Sequence, residues 1–307
     1  MDPEHKIGSH GAPGPAWMFG AVIAFGLMVL FVKLLREAGM STTEVIVWRM
    51  GPGVPLAAWL LYRKGRSWKP RRPLQLLGRV AFGATAMTTY FWAIPQLSLF
   101  TNTSIALTQP VFVAMLSPWL LRERATRAVG FAFALALCGT ALVVSGRASD
   151  ISTWTFVAAV PLLPAVVRLG SSASSATAHI FIRRTTREGG DPPDLVVLHF
   201  TGWVTTVALI VGLAAGSLEG PPATLEPSVA YGYIAAMAGC GIAGQLMLSR
   251  AYARGRAPAV AVMGYVAIPL SLGLDALVWG VGVHLLQVVG VALTVCGGAL
   301  LLFRRQE

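Results

Sequence analysis

Two apolar runs, 105–121 and 129–144, stand back to back in the stretch TNTSIALTQPVFVAMLSPWLLRERATRAVGFAFALALCGTALVV. A tight loop carrying Arg122, Glu123, Arg124 and Arg127 parts them. Helices of that length cross a ~30 Å hydrocarbon core with help from their flanks. The same design returns near the C-terminus in VAVMGYVAIPLSLGLDALVWGVGVHLLQVVGVALTVCGGALLL. There Pro269 falls over Pro110, Gly290 over Gly130, and Cys296-Gly297 over Cys138-Gly139. The second half of the chain repeats the first.

Composition says what solvent such a chain needs. Of its 307 residues, 55% are hydrophobic and 12% charged, about half the charged fraction of a soluble domain. That much apolar surface has to face lipid, and the runs suit helices rather than barrel strands. The net charge of +11 invites a nucleic-acid partner, but nearly all the basic residues sit in short loops, as in membrane proteins generally. No nucleic-acid partner is therefore expected. Cys138, Cys240 and Cys296 all lie inside apolar runs and read as small packing residues, not disulfide partners or metal ligands. The polar, Pro/Gly-rich residues 1–15 read as a disordered tail without the pattern of a cleaved signal peptide.

The fold expected is an all-α polytopic membrane protein of ten transmembrane helices. They run at 16–36, 43–62, 76–97, 101–121 and 127–145, then 154–184, 194–216, 228–251, 257–280 and 284–303. Lys and Arg cluster in alternate loops, at 63–79, 122–127, 183–187 and 250–256, and in both tails. Apart from Arg49 and Arg168, which lie within apolar runs, only Lys33, Arg36 and Arg147 fall on the other side. Both termini therefore face the cytoplasm of a plasma or bacterial inner membrane.

The duplication divides the chain at 16–146 and 147–304. It also places FVKLLREAG over FIRRTTREG and TEVIVWRM over PDLVVLHF, hence Glu44 over Asp194 and Arg49 over His199. Five helices are an odd number, so the two copies cross the membrane in opposite senses. Inverted repeats mark secondary transporters, because exchanging the conformations of the halves opens the opposite face. The sixth span, VAAVPLLPAVVRLGSSASSATAHIFIRR, carries Pro161, Pro164, Arg168, a serine run and His179. Such a span is tolerated in lipid where it faces other helices or a wet cavity, so it is expected to line the pathway.

Further motifs follow the same order in the chain: R-x-x-x-G at 49–53, Arg79, FWAI at 91–94, TQPVFVAMLSPWLLRER at 108–124 and G-x(8)-G at 130–139. AGQLMLSRAYARG at 243–255 and YVAIP at 265–269 complete them. Together with the duplication, the chain resembles the EamA-type members of the drug/metabolite transporter superfamily from about residue 17 to 303. The resemblance implies a ten-helix carrier with two inverted five-helix halves around a central cavity, exporting or exchanging amino acids and other metabolites. Family members often carry a Glu ending the fourth helix of each half. Glu123 supplies it once, and Gly282 stands at the second place, so a role needing that acid twice is not implied.

Ionisable groups at membrane depth are costly and become candidates for function. Arg49 offers a planar fork for a carboxylate or phosphate; the alternative is an arginine snorkelling to the interface. Asp275, within the ninth span, is the candidate carrier of a coupling proton, with a static ion pair as the alternative. Arg168, His179 and His199 join the candidate substrate cavity, with Tyr90, Trp92, Asn102 and Gln109 in the first half and Gln245 and Tyr265 in the second. A small polar solute needs apolar walls with a few aimed polar groups of this sort. The histidines lack metal-ligand spacing; no metal, cofactor or catalytic residue is expected. Arg122, Glu123 and Arg124 read as a cytoplasmic helix end with a local ion pair, worth little if exposed. Trp17, Trp68, Trp119 and Trp154 read as interface anchors.

No HExxH, GxSxG, Walker or paired-aspartate protease motif occurs. The function read from the sequence is a secondary active transporter of a small polar metabolite, exporting by alternating access, with protons as coupling ion. A homodimer is compatible with it. The alternative is a membrane-embedded enzyme or lipid-modifying protein without a recognisable motif.

Overall fold

Ser41 starts the second span, and it does so by a capping box. Its side chain accepts from the Glu44 backbone N–H at 3.1 Å while the Glu44 carboxylate accepts from the Ser41 N–H at 3.3 Å. Two of the donors left over at a helix start are thereby satisfied. The computed structural model describes residues 14–93, 105–106, 108–123, 126–127, 130–132, 134–135, 138–139, 141–142, 162–280 and 285–303. Among them every regular element is helical.

The helices are α1 (Gly14–Glu37), α2 (Thr42–Met50), α3 (Gly53–Arg63), α4 (Pro73–Ala93) and α5 (Gln109–Leu120). After these come α6 (Leu162–Thr186), α7 (Pro193–Ala214), α8 (Pro227–Arg254), α9 (Ala257–Val262), α10 (Ala267–Trp279) and α11 (Leu285–Phe303). Five stretches are long and apolar enough to cross a membrane: α1, α2 with α3, α7, α8, and the run Ala257–Val278. The expected span at 43–62 is broken at Gly51-Pro52, because a proline has no N–H to continue the ladder. The ninth span is interrupted by a 3-10 turn, Met263–Val266, just before Pro269. Pro110 opens α5, and Pro164 lies within the first turn of the described part of α6, positions where proline costs a helix little.

Helices of the two halves pair antiparallel. The start of α1 meets the end of α8, where a Cβ on Gly14 would fall 2.5 Å from the Gly255 Cα. Farther along, Phe25 covers Gly244, and the Phe31 and Tyr233 rings stand 5.7 Å apart. In the same sense α4 packs on α6. Gly78 receives the Phe181 ring, and Ser171 donates to the Ala86 carbonyl at 2.7 Å. The α2–α3 pair lies along α7, with Thr43 beside Gly212 and Gly53 beside Thr201. Glycines at these contacts let backbones approach where lipid gives no hydrophobic drive for association.

The core gathers Met18, Val22, Leu248, Tyr252, Val260 and Tyr265 around α1, α8 and α9. A second cluster joins Met28, Leu35, Val45, Phe200 and Met237. The outer face is also apolar: Trp119 and Leu277 are each 84% exposed and Leu285 80%, as expected where the outer solvent is hydrocarbon.

The basic loops converge on one end of the bundle. Asp191 accepts from the backbone N–H groups of Arg71 and Arg72 at 2.6 and 3.1 Å. Asp194 pairs with Lys64 at 2.5 Å and Arg250 at 3.5 Å. Glu123 is not the exposed, local pair its neighbours suggested. It is 7% exposed, its Oε1 accepts from Arg183 Nε at 3.0 Å, and its Oε2 accepts from the Ala257 backbone N–H at 3.0 Å. It thus caps α9 and ties the end of α5 to α6, because the chain after Leu121 turns inward. The opposite end carries Glu44, whose Oε1 accepts from the Gly220 N–H, and Ser41, which donates to the Ser217 carbonyl at 2.8 Å.

Candidate functional site

The α4 sequence GRVAFGATAM places Arg79 one turn before Gly83. A Cβ at Gly83 would collide with Arg79 Nη1, so the glycine is what lets the guanidinium fold back inside the bundle. There it lies 3.7 Å over the Phe200 ring. Arg79 is 3% exposed, and its buried Nε has no acceptor. The sequence count that put Arg79 among loop cations is corrected: the residue is interior, because α4 starts at Pro73 and has already carried it past the helix end.

Arg49, near the end of α2, points between α4 and α8. Its Nη1 stands 3.3 Å from Met87 Sδ, a weak acceptor, and its buried Nε has none. A Cβ on Gly241 would fall 3.3 Å from Arg49 Cγ, so a glycine of α8 makes this room as well. Arg168 is 5% exposed in α6. It donates to Ser172 Oγ at 3.0 Å and lies 4.7 Å from the centre of the Tyr90 ring.

Gln109 and His179 meet at 2.6 Å, Nε2 to Nδ1. The Gln amide nitrogen can only donate, so Nδ1 accepts and the imidazole carries its proton on Nε2. The His179 ring packs 5.0 Å from Tyr252. Along α8, Gln245, Ser249 and Tyr252 follow Gly241 at spacings of four, four and three. One face of the helix therefore carries them all. Gln245 Nε2, Ser249 Oγ and the Tyr252 hydroxyl are buried and have no partner among the described residues. From Gly241 to Tyr252 this face extends roughly 16 Å at 1.5 Å per residue, and joins the Arg49 end of the seam to the His179 end.

Leaving polar groups buried and unbonded costs about 1–3 kcal/mol each. Five such donors on one internal seam suit a polar ligand or water better than a closed core. Every acid whose side chain is described lies in a loop or an end turn of a helix, so among the described residues the seam is rich in donors and cations and poor in acceptors.

The structure brings together Arg49, Tyr90, Arg168, Gln109, His179 and Gln245. Tyr265 is wholly buried in the 3-10 turn among core residues that include Tyr252. Trp92 is 43% exposed near the end of α4. His199 faces elsewhere, its Nε2 3.2 Å from the Trp68 carbonyl at the basic end. Asn102 lies outside the described residues, as does the side chain of Asp275, whose backbone belongs to α10. Sequence reasoning missed Arg79 and Ser249. The signal for the first is an arginine with a glycine one turn later, and for the second the helical spacing from Gln245 to Tyr252.

Comparison with known proteins fits this picture. The EamA-like transporter family model matches residues 12–145. The pseudopaline exporter CntI of Pseudomonas aeruginosa is 29% identical over 283 residues, covering 92% of this chain and 91% of the relative. An uncharacterised transporter of Helicobacter pylori is 27% identical, covering 94% of each. A crystal structure with 16% sequence identity superposes with a TM-score of 0.73 over 92% of this chain and 97% of its own, which shows a shared fold.

Proposed function

We infer that this chain is a member of the EamA-like transporter family, whose model matches residues 12–145, and hence a multi-pass membrane transporter of a small molecule rather than an enzyme. From that premise we propose that it is a secondary active exporter of a small metabolite bearing an acidic group. It is built from ten helices in two inverted halves, 16–146 and 147–304, with both termini in the cytoplasm of the plasma membrane.

The observation that carries this reading is the internal seam: the guanidiniums of Arg49 and Arg79 lie inside the bundle, each with a buried Nε that has no partner among the described residues, beside donors from α8. A carboxylate or phosphate would satisfy the orphaned nitrogens and offset the cost of burying the charges. The aromatic and apolar walls, Tyr90, Phe200 and Tyr252, would exclude competing water. The cross-half pairing supports the inverted plan. First-half α1 lies on second-half α8, and first-half α4 lies on second-half α6, so each half offers its first helix to the third of the other. In such a carrier the halves rock about the seam and expose it alternately. The breaks at Gly51-Pro52 and before Pro269 are where helix ends would bend. The likeness to a pseudopaline exporter favours the outward direction. Coupling falls to Asp275 and a proton.

The test is uptake into inverted vesicles from a mixed metabolite pool, read by mass spectrometry. Acidic solutes should accumulate with wild-type protein. Arg79→Gln and Arg49→Gln should each lower the rate roughly tenfold or more, about the loss of one charge-assisted contact. Accumulation of neutral or cationic solutes alone, with both variants at the wild-type rate, would refute the anionic reading.

A further inference from the structure

At the basic end, outside the seam, a cavity of about 340 Å³ opens between the ends of α5 and α6 and the loop before α4. Arg72, Arg122, Arg184, Arg187, Trp119 and Leu121 line it, and among the described residues no acid does. Two of the four arginines build the frame. Arg72 donates to the Arg184 and Glu188 carbonyls at 2.8 Å each, and Arg187 donates to the Leu121 carbonyl at 3.2 Å. The other two, Arg122 and Arg184, are exposed, and among the described residues their guanidiniums make no hydrogen bond or ion pair. Arg122 also holds a left-handed backbone, φ 58°, the one non-glycine residue to do so among those described. Glycine takes that conformation more easily. Arg122 stands just past the end of α5, where the Glu123 N–H reaches back to the Ser117 carbonyl at 3.4 Å and a left-handed residue commonly ends a helix.

The approach to the cavity is apolar. Met115 and Trp119, one turn apart on α5, are 62% and 84% exposed, and Trp119 itself lines the cavity with Arg122. Leu74 and Leu77, near the start of α4, are 78% and 62% exposed. An apolar track thus runs along the lipid-facing surface into a mouth of uncompensated cations. A free phosphate would use the mouth alone. An anionic phospholipid would use both parts, with its phosphodiester between Arg122 and Arg184 and an acyl chain along Met115 and Trp119. We propose that this cavity is a binding site for an anionic phospholipid at the basic end of the bundle.

The test is native mass spectrometry on the full chain in detergent, titrated with phosphatidylglycerol or with phosphatidylcholine of the same acyl chains. Glycerophosphate serves as the soluble headgroup. Wild-type protein should retain phosphatidylglycerol roughly tenfold better or more than phosphatidylcholine. The double variant Arg122→Gln/Arg184→Gln should hold both lipids equally. A charge-matched double variant at the same end, Arg66→Gln/Lys69→Gln, should keep the wild-type preference. A thermal melt of each variant reports its folding; the substituted side chains of the first pair hold no described partner, so its melt should match wild type. Equal retention of the two lipids by wild type, or equal loss in both double variants, would overturn the proposal. So would displacement of the lipid by glycerophosphate at matched concentration, which would make the ligand a soluble phosphate. None of these outcomes bears on the transport seam.

Discussion

Replacing Glu123 with Ala should cost about 3 kcal/mol of stability. The carboxylate makes two contacts at 3.0 Å, one from Arg183 Nε and one from the Ala257 backbone N–H. Hydrogen bonds to a charged group contribute about 1.5–3 kcal/mol each. Removing one partner of a buried pair costs about 3–5 kcal/mol when the other is left stranded. Two features hold the figure to the lower end. The Arg183 side chain is 17% exposed, and its Nη1 keeps a bond to the Ala253 carbonyl at 3.0 Å. Glu123→Gln should cost roughly half as much, since an amide oxygen can accept from one donor while the amide nitrogen opposes the other.

Equilibrium unfolding in mixed detergent micelles measures both losses, and a double-mutant cycle with Arg183→Gln isolates the pair. A coupling of about 1–2 kcal/mol is expected. If Glu123→Ala and Glu123→Gln each changed stability by less than about 0.5 kcal/mol, the pair would behave as an exposed ion pair. The idea that it joins α5, α6 and α9 would then be wrong.

Three further outcomes follow from the packing and the proposed mechanism. Gly14→Val should destabilise the fold by about 2 kcal/mol, because its Cβ would meet Gly255 backbone; Gly232→Ala, with open space around it, should be within about 0.5 kcal/mol of wild type in the same unfolding assay. In a background without Cys138, Cys240 and Cys296, cysteines placed at Pro70 and Glu188 should react with an impermeant maleimide from the same side of the membrane. Labelling from opposite sides would remove the inverted topology. Asp275→Asn should keep substrate binding, read by thermal shift, yet lose transport driven by a pH gradient; unaltered pH-driven flux would take Asp275 out of the mechanism.

The parts of the fold that were legible in the sequence are those set by one-dimensional pattern. Apolar length gave the helical, lipid-facing character. The convergence of residues 64–72, 183–191 and 250–257 on one end follows the clustering of their charges. What sequence could not give is which face of each helix turns inward. Arg79 looked like one more loop cation because its depth depends on where α4 begins and on room made by Gly83. Glu123 looked local because its partners, Arg183 and Ala257, are remote in sequence. His199 aligned with Arg49 in the repeat, but the α7 face that carries it looks toward Trp68. An alignment fixes position along a helix and leaves its rotation open.

The aligned acids Glu44 and Asp194 show how one plan yields two different ends. Each lies in the first turn of the second helix of its half. Each reaches across to chain that follows the second helix of the other half: Glu44 to the Gly220 N–H, Asp194 to Lys64. The two contacts are thus equivalent under exchange of the halves, as the proposed inversion requires. Their chemistry differs because the ends differ in charge. Asp194 has two cations to hold, and Glu123 and Asp191 tie further basic segments beside it. The Glu44 end relies on backbone donors and on the hydroxyls of Ser41 and Thr224. Under the proposed mechanism, opening the basic end would separate ion pairs, whereas opening the other end would release one carboxylate from a backbone N–H and two hydroxyls from carbonyls. On the proposed mechanism the carrier would rest closed at its basic end, and a bound anion would favour opening there only by binding the opened form more tightly.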